Sequence, residues 1–415
     1  MIIFYELTET QHQLIKDRTR FICVAAGRRS RKTLIGKYKI YKTAILNDNK
    51  RYFMGAPVRS QAKEIFWNDL KDNMKLFISE KPNETELKVK LINGTQIYIE
   101  GLDRPDRIEG RPWNGCLITE MASLKPEAWS RSIRPALSDT RGFAILEGKP
   151  MGSNHWAEMC IRAAGGVLPE VKPGGVSAHN KDWAFYSWHS ADVLSADEIE
   201  AAKEDLDEMT FREQYEASFE SHEGLFCFSF SRDNIKNLDQ MKTDIVIAND
   251  FNVNPFAALV IQDDGANVYV REEIKLKNFT TEMFLQYVGS NILPKYKTKS
   301  PIFYPDPTGK ARSTKSLISD IAIIKNKYVV KTAKDVSFNN RSLCLNRMFR
   351  NANGKCRIFI NPRCKELIKD CETVERKPDG SMDKKDINRT HWLDALGNYI
   401  TKEYPIRTIS VPIYA

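Results

Sequence analysis

A lysine followed by a threonine at the end of a small basic loop is the first arrangement in this sequence able to do chemistry. The run Ala26-Gly-Arg-Arg-Ser-Arg-Lys-Thr33 follows an apolar, strand-like stretch (Phe21 to Ala25) and precedes a helix-like one (Leu34 to Asn47). Strand, loop and helix in that order set backbone N–H groups and a lysine ammonium around one anionic site, the arrangement that cradles nucleotide phosphates. The loop follows G-x-x-x-x-G-K-[ST] with Ala26 and Arg31 at its two glycine positions. An arginine before the lysine restricts the backbone and adds a cation beside the phosphates. Arg28, Arg29, Ser30, Arg31, Lys32 and Thr33 are therefore the candidate ATP-binding residues, against the plainer reading of a basic surface turn. Gln11, in Leu7-Thr-Glu-Thr-Gln-His-Gln13 ahead of the loop, could pair its amide with the adenine edge.

Such a site needs groups at the end of a neighbouring strand that hold Mg²⁺ and align the attacking water. Gly115-Cys-Leu-Ile-Thr-Glu120 ends in Glu120, the candidate to polarise that water, with Thr119 where an aspartate is expected. Thr119 can hold a metal-bound water but brings no charge, and Glu120 also reads as a plain strand-end carboxylate. Upstream, Asp103-Arg-Pro-Asp-Arg-Ile-Glu-Gly-Arg111 packs three arginines into a turn-rich segment. An arginine aimed at the γ-phosphate stabilises transition-state charge, worth on the order of a thousandfold in rate. Arg107 is the candidate for that role, Arg104 and Arg111 stand close behind, and a solvated or DNA-facing arginine is the bland alternative.

Three aspartates in the second half form the other set. Asp250 ends Ile245-Val-Ile-Ala-Asn-Asp250, Asp306 follows Ile302-Phe-Tyr-Pro, and Asp394 lies in the helix-like Thr390-His-Trp-Leu-Asp-Ala-Leu-Gly-Asn-Tyr399. Carboxylates gathered from separate elements can hold two divalent ions about 4 Å apart and cleave a phosphodiester by in-line attack of water. His391 and Asn398 share the helix face of Asp394, at i−3 and i+4, and could orient it or touch substrate. Taken singly, each aspartate also reads as a turn or helix-cap residue.

The elements that must position these groups fall into two successive α/β patterns. At 415 residues the chain exceeds one ordinary core, so two domains are expected: residues 1–220, a linker at 221–243, and 244–415. In the first, strands are expected at Arg20 to Ala25, Arg51 to Gly55, Gly115 to Thr119 and Gly142 to Glu147, forming a largely parallel sheet flanked by helices. Asn93-Gly94 inside Leu87 to Gly101 marks a hairpin, and Gly165 to Gly175 a loop. Ser195-Ala-Asp-Glu198 is a capping box opening a long polar helix towards Phe219, and Ser221-His-Glu-Gly224 is a connector. From Asp244, two strands joined by Asp263-Asp-Gly265 precede helix, strand, helix and strand.

A hydrophobic share of 42% supports packed domains. No apolar run is long enough for a membrane span, and the first residues lack the basic-then-apolar pattern of an export signal. A soluble, unexported protein with no membrane partner is expected. The eight cysteines carry no paired C-x-x-C spacing, which suits reduced thiols, and Cys356, Cys364 and Cys371 read as packing residues. Lys plus Arg exceed Asp plus Glu by 63 to 54, a net +9, which fits a polyanionic partner as readily as an unspecialised basic surface.

Together the two halves resemble the large terminase subunit of tailed bacteriophages. The resemblance rests on Gln11, the loop Ala26 to Thr33, the strand ending in Glu120, and Leu146-Glu-Gly-Lys-Pro-Met-Gly-Ser-Asn-His155, similar to the family's coupling motif. It continues through Asp250-Phe-Asn-Val-Asn-Pro255, Tyr304-Pro-Asp-Pro-Thr-Gly309 and His391-Trp-Leu-Asp-Ala-Leu396. It implies an N-terminal P-loop ATPase domain and a C-terminal RNase H-like α/β nuclease domain. Lys32 and Thr33 would then sit on ATP phosphates and Mg²⁺, Glu120 would be the catalytic carboxylate, and Asp250, Asp306 and Asp394 would ligate two Mg²⁺ or Mn²⁺ ions. It also implies double-stranded DNA, a portal protein and a small terminase subunit as partners, a homo-oligomeric ring on the procapsid, and work in the host cell cytoplasm. Ala26, Arg31 and Thr119 stand where the family more often has Gly, Gly and Asp, and Lys149 where a threonine is common. Those departures bear on ATP hydrolysis. They leave two rivals open: a metal-dependent nuclease or recombinase with a weak or inactive ATPase domain, and a DNA helicase or translocase without cleavage. Lys310, Arg312, Lys384 and Lys385, flanking the acids, read as phosphate contacts or as a solvated face.

Overall fold

Phe21-Ile-Cys-Val-Ala25 is apolar at every position because both faces of this strand are covered, and all five residues are buried. The computed structural model describes residues 6–406 except 153, 221–223, 239–240, 242, 253, 311–317, 334–336, 378 and 387–388. The chain forms two compact units, Met1–Glu200 with Phe211–Ser221, and Ala201–Thr210 with His222–Ala415.

The first unit carries β1 (Phe21–Ala25), β2 (Arg51–Ala56), β3 (Lys88–Lys90), β4 (Gln96–Gly101), β5 (Gly115–Ile118), β6 (Phe143–Gly148), β7 (Val176–Asn180) and β8 (Trp183–Ser187). They form one sheet in the order β3-β4-β2-β5-β6-β1-β8-β7. The six inner strands are parallel and only the edges, β3 and β7, run antiparallel. Ile22, Val24, Met54 and Ile145 face one core layer, and Cys23, Phe53, Cys116 and Leu146 the other. The expected hairpin is β3–β4, with Gly94 in the left-handed conformation (φ 77°) that its turn demands.

Two features depart from the elements the sequence predicts. The polar segment after Ser195 is two helices, Ala196–Asp205 and Glu208–Tyr215, in place of one. Buried Asp207 interrupts it: its Oδ1 accepts the Thr210 N–H at 2.8 Å, the work of a helix cap that competes with helix continuation. β7 and β8, for which no strands were drawn, extend the sheet beyond β1.

The second unit carries β9 (Gly224–Leu225), β10 (Ile245–Asp250), β11 (Phe256–Asp263), β12 (Val268–Leu276), β13 (Ile302–Pro305), β14 (Val329–Val330), β15 (Ile358–Ile360) and β16 (Glu375–Arg376). Its main sheet has the order β14-β13-β10-β11-β12-β15, while β9 and β16 pair separately. β10, β11 and β12 form an antiparallel meander, and β13 and β14 add to β10 in parallel. This is the mixed RNase H-like sheet that the resemblance implies. The helices Phe338–Phe349 and His391–Glu403 supply Leu345, Met348, Trp392 and Leu396 to its core. Of the segment expected as a connector, Ser221 to Glu223 lie outside the described residues. Cys364 and Cys371 are buried in the same core, and no cysteine is in a disulfide among the described residues.

Candidate functional site

β1 lies between β6 and β8, and its C-terminal end feeds the basic loop. The loop backbone is tied down from several sides. Ala26 N–H donates to Gly148 O at 3.3 Å, Gly27 N–H to Trp188 O at 3.2 Å, and Arg28 N–H to Gln214 O at 2.6 Å. Ser30 O accepts from Trp188 Nε1 at 2.8 Å and from Gln11 Nε2 at 3.3 Å. Gln11 is fully buried, and its Oε1 accepts the Thr8 N–H at 3.1 Å, so its amide braces the loop from beneath. Gly27 admits no side chain, because a Cβ there would stand 2.3 Å from Ser190 Oγ.

Arg29 (φ 56°) and Arg31 (φ 65°) both take the left-handed conformation. The second glycine position of the motif is thus one where glycine would be unstrained, and arginine occupies it at a cost. Ala26 has no such positive φ, which explains why alanine is accommodated at the first. Successive loop N–H groups of this kind form a concave anion nest. The helix Lys32–Leu46 then starts with no side-chain cap from Arg31, leaving its first N–H groups open to an anion. These features fit a bound nucleotide phosphate.

Lys32 Nζ donates to Gly27 O at 3.2 Å. Burial lowers the pKa of this ammonium, Glu147 and Glu120 oppose the shift, and Arg28 and Lys149 add to it. Glu120, the second residue past β5, takes a left-handed backbone conformation (φ 54°), strain of the kind stored at functional positions. Thr119 beside it is buried. Glu147, on β6, is fully buried, and neither of its carboxylate oxygens accepts a hydrogen bond. Burial pushes its carboxyl up, while Lys32 and the nearby hydroxyls of Thr33 and Thr119 pull it down. In the sequence Glu147 stands out only within the motif Leu146 to His155. Its signal was an acid in an otherwise apolar strand. Arg107 lies on the turn Pro105–Ile108 after β4, exposed, in the electrostatic surroundings of Glu100 together with Arg59 and Arg111. The cations acting on Lys32 are Arg28 and Lys149.

In the second unit, β10 and β13 are parallel neighbours with Asn249 opposite Pro305. Asp250 and Asp306 therefore emerge at the same end of the sheet, where the Asp306 N–H donates to Asn249 O at 2.9 Å. The first turn of the helix His391–Glu403 adds Asp394. All three line one cleft of about 600 Å³. His391 Nδ1 lies 2.8 Å from Asp250 Oδ2, and its Nε2 lies 3.2 Å from Asn252 Nδ2, a pattern met by the tautomer protonated at Nδ1. Asn398 donates to Asp306 Oδ2 at 2.9 Å, and Thr308 donates to Asp306 Oδ1 from its N–H at 2.8 Å and its hydroxyl at 2.6 Å. His391 and Asn398, expected to orient Asp394 or to touch substrate, are hydrogen-bonded to the other two acids.

Asp394 is held by Arg341, an ion pair buried on both sides, and by Lys384 Nζ at 2.9 Å. Arg341 also donates to Asn398 Oδ1 at 3.0 Å. Burial pushes the Asp394 carboxyl up, and Arg341 and Lys384 pull it back. For Asp306 burial works upward too, but the bonds from Thr308 and Asn398 prevail and hold its carboxyl below the usual range. Lys384, read as a phosphate contact or a solvated face, is on a carboxylate here. Lys385 pairs with Asp383 at 2.9 Å, while the Lys310 side chain and Arg312 lie outside the described residues. Arg341 had no signal in the sequence beyond its place in the helix Phe338–Phe349.

An all-carboxylate oxygen set suits hard divalent cations such as Mg²⁺ or Mn²⁺. Among the described residues no three His, Cys, Asp or Glu side chains form a ready ligand group. Arg341 and Lys384 engage Asp394, whereas Asp250 and Asp306 share the open end of the sheet. Lys384 is half exposed on a long stem, so its hold on Asp394 is the easier of the two to release.

No protein-family model matches the chain. Among curated proteins, "Terminase, large subunit" of Escherichia phage T5 is 24% identical over 402 residues, covering 91% of this chain and 86% of that protein. The protein of the same name from Thermus virus P23-45 is 32% identical over 125 residues, 29% of this chain and 25% of that protein. Among solved structures, the large terminase of the thermophilic bacteriophage D6E in complex with ATP-gamma-S aligns with a TM-score of 0.54. It covers 96% of this chain and 99% of that one at 16% identity, a likeness of fold.

Proposed function

This chain resembles phage large terminase subunits along nearly its whole length, and from that premise we propose that it is an ATP-driven DNA-packaging motor joined to a nuclease. Its substrate is viral double-stranded DNA, moved into a procapsid through a portal and cut from a concatemer, with a small terminase subunit and a homo-oligomeric ring as partners in the host cytoplasm. The observation that carries the reading is the presence of both sites in one chain: an uncapped helix start with Lys32 behind a strained basic loop, and Asp250, Asp306 and Asp394 around one cleft.

In the first unit, Lys32 and the open N–H groups of its helix bind the phosphates, and Thr33 supplies a hydroxyl for the accompanying Mg²⁺. Glu120 polarises the attacking water. Gln11, fully buried, acts on the nucleotide through the loop it braces at Ser30 and not by pairing with the base. Arg28, Arg29, Ser30 and Arg31 shape the cradle, and Arg107 is the arginine proposed for transition-state charge.

In the second unit, Asp250, Asp306 and Asp394 would hold two divalent ions, which would supply an activated water and offset charge on the cleaved phosphodiester. His391 fixes the rotamer of Asp250, and Thr308 with Asn398 keeps Asp306 ionised. Lys384, half exposed, would release Asp394 to those ions. Supercoiled plasmid incubated with the protein should be cut with Mn²⁺ or Mg²⁺ and left intact in EDTA. Equal cutting in EDTA would remove the metal from this account.

A further inference from the structure

Thr119 leaves the first unit without a carboxylate at the place where a phosphate-loop ATPase holds its magnesium ion. An acid lies one strand away. β5 and β6 are parallel, with Ile118 opposite Leu146, so the next residues, Thr119 and Glu147, lie side by side. On the other edge of β6, Glu147 is opposite Val24 of β1, two residues before the loop begins. Glu147 is fully buried, with no hydrogen bond on either oxygen, and the side chains acting on it are Lys32, Thr33, Thr119 and Glu120. A buried carboxylate left without hydrogen bonds costs stability. A ligand that completes it would account for its place in a strand otherwise apolar at that depth.

We propose that Glu147 supplies, from β6, the carboxylate that holds the magnesium ion of bound ATP. The inference rests on the ATP-binding reading of the loop and adds to it the residue that replaces the missing aspartate. Thr33 and Thr119 then contribute hydroxyls on either side of it, and Glu120 remains free to orient water. A role as a mere counter-charge to Lys32 would make Glu147 matter equally with and without the metal. A role in holding the metal makes it matter only when the metal is present.

The experiment is equilibrium binding of a fluorescent ATP analogue to the full chain, in Mg²⁺ and in EDTA. Wild type is compared with Glu147→Gln, the double variant Thr119→Asp/Glu147→Gln, and Lys32→Ala. The expected result is that Mg²⁺ tightens wild-type binding by on the order of tenfold or more. Glu147→Gln should lose that gain while keeping the wild-type affinity in EDTA, which also shows that it is folded, and the double variant should recover it. If Glu147→Gln keeps the full Mg²⁺ gain while Lys32→Ala abolishes binding, the loop binds nucleotide and the role given to Glu147 is wrong. If Glu147→Gln loses affinity equally in both conditions, Glu147 is a counter-charge and the inference also fails. Absence of binding by wild type would overturn the ATP reading itself, and this inference with it.

Discussion

Asp306 and Asp370 stand on opposite sides of the ordinary aspartate range, and the cause is hydrogen bonding set against burial. Asp306 receives bonds from Thr308 and Asn398 that outweigh its burial. Asp370 is fully buried with one oxygen unbonded, and burial pushes its carboxyl up to about 6 although Arg389 pulls the other way. The native state therefore binds a proton at Asp370 more tightly than the unfolded chain, whose ordinary value is 3.8. Its contribution is most favourable below that value, declines as pH rises to about 6, and is constant above. Asp306 has the opposite sign: its stabilisation is present above the ordinary value and is lost as pH falls through its lowered one. Denaturant unfolding of Asp370→Asn between pH 4 and 7 should show a flatter decline than wild type, and an unchanged profile would refute the assignment. Arg341→Ala strips a buried partner from Asp394 and should cost about 3 kcal/mol in urea unfolding, with near-neutral behaviour as the contrary result. The residues of both sites that lie in contiguous motifs, Lys32, Thr33, Glu120 and the three aspartates, were legible because each ends or opens a patterned run. Arg341 and the burial of Glu147 were not, since both arise from pairing between distant segments, which no local spacing encodes.

At the scale of elements, the phosphate loop depends on how closely its helix approaches β5. A Cβ on Gly36 would lie 2.7 Å from Leu117 Cδ1 and 3.1 Å from its Cδ2, so the helix Lys32–Leu46 packs directly on the Leu117 side chain, and a larger residue at 36 must displace those methyl groups. Gly36→Val should force helix and strand apart, lower stability by about 1–2 kcal/mol, and weaken nucleotide binding by shifting Lys32 relative to Glu120. Thermal unfolding and binding of the ATP analogue check both effects, and wild-type behaviour in both would contradict the packing argument. The apolar runs of β1, β2, β5 and β6 were readable in the sequence because parallel strands buried on both faces cannot alternate. The break at Asp207 was hidden because aspartate is unremarkable on an exposed polar helix, and only its burial makes it a cap. β8 was hidden as well. Its end residue Ser187 donates to Ala25 O at 2.5 Å, and the adjoining Trp188 holds Ser30, so an unassigned aromatic segment secures the loop the sequence did identify.

For the whole molecule, two compact units each carry one site, built on the strand ends of its own sheet. A net charge of +9 together with the proposed DNA substrate predicts that binding to random-sequence duplex weakens linearly in a log–log plot against salt, and a flat dependence would argue against phosphate contacts. The central claim is that the two units perform separable reactions on one substrate. Its most direct test measures ATP turnover with DNA present and plasmid cleavage with Mn²⁺ present, for wild type, Lys32→Ala and Asp250→Ala. Lys32→Ala should abolish turnover and spare cleavage, and Asp250→Ala should do the reverse. A wild type with neither activity, or variants that each lose both, would contradict it.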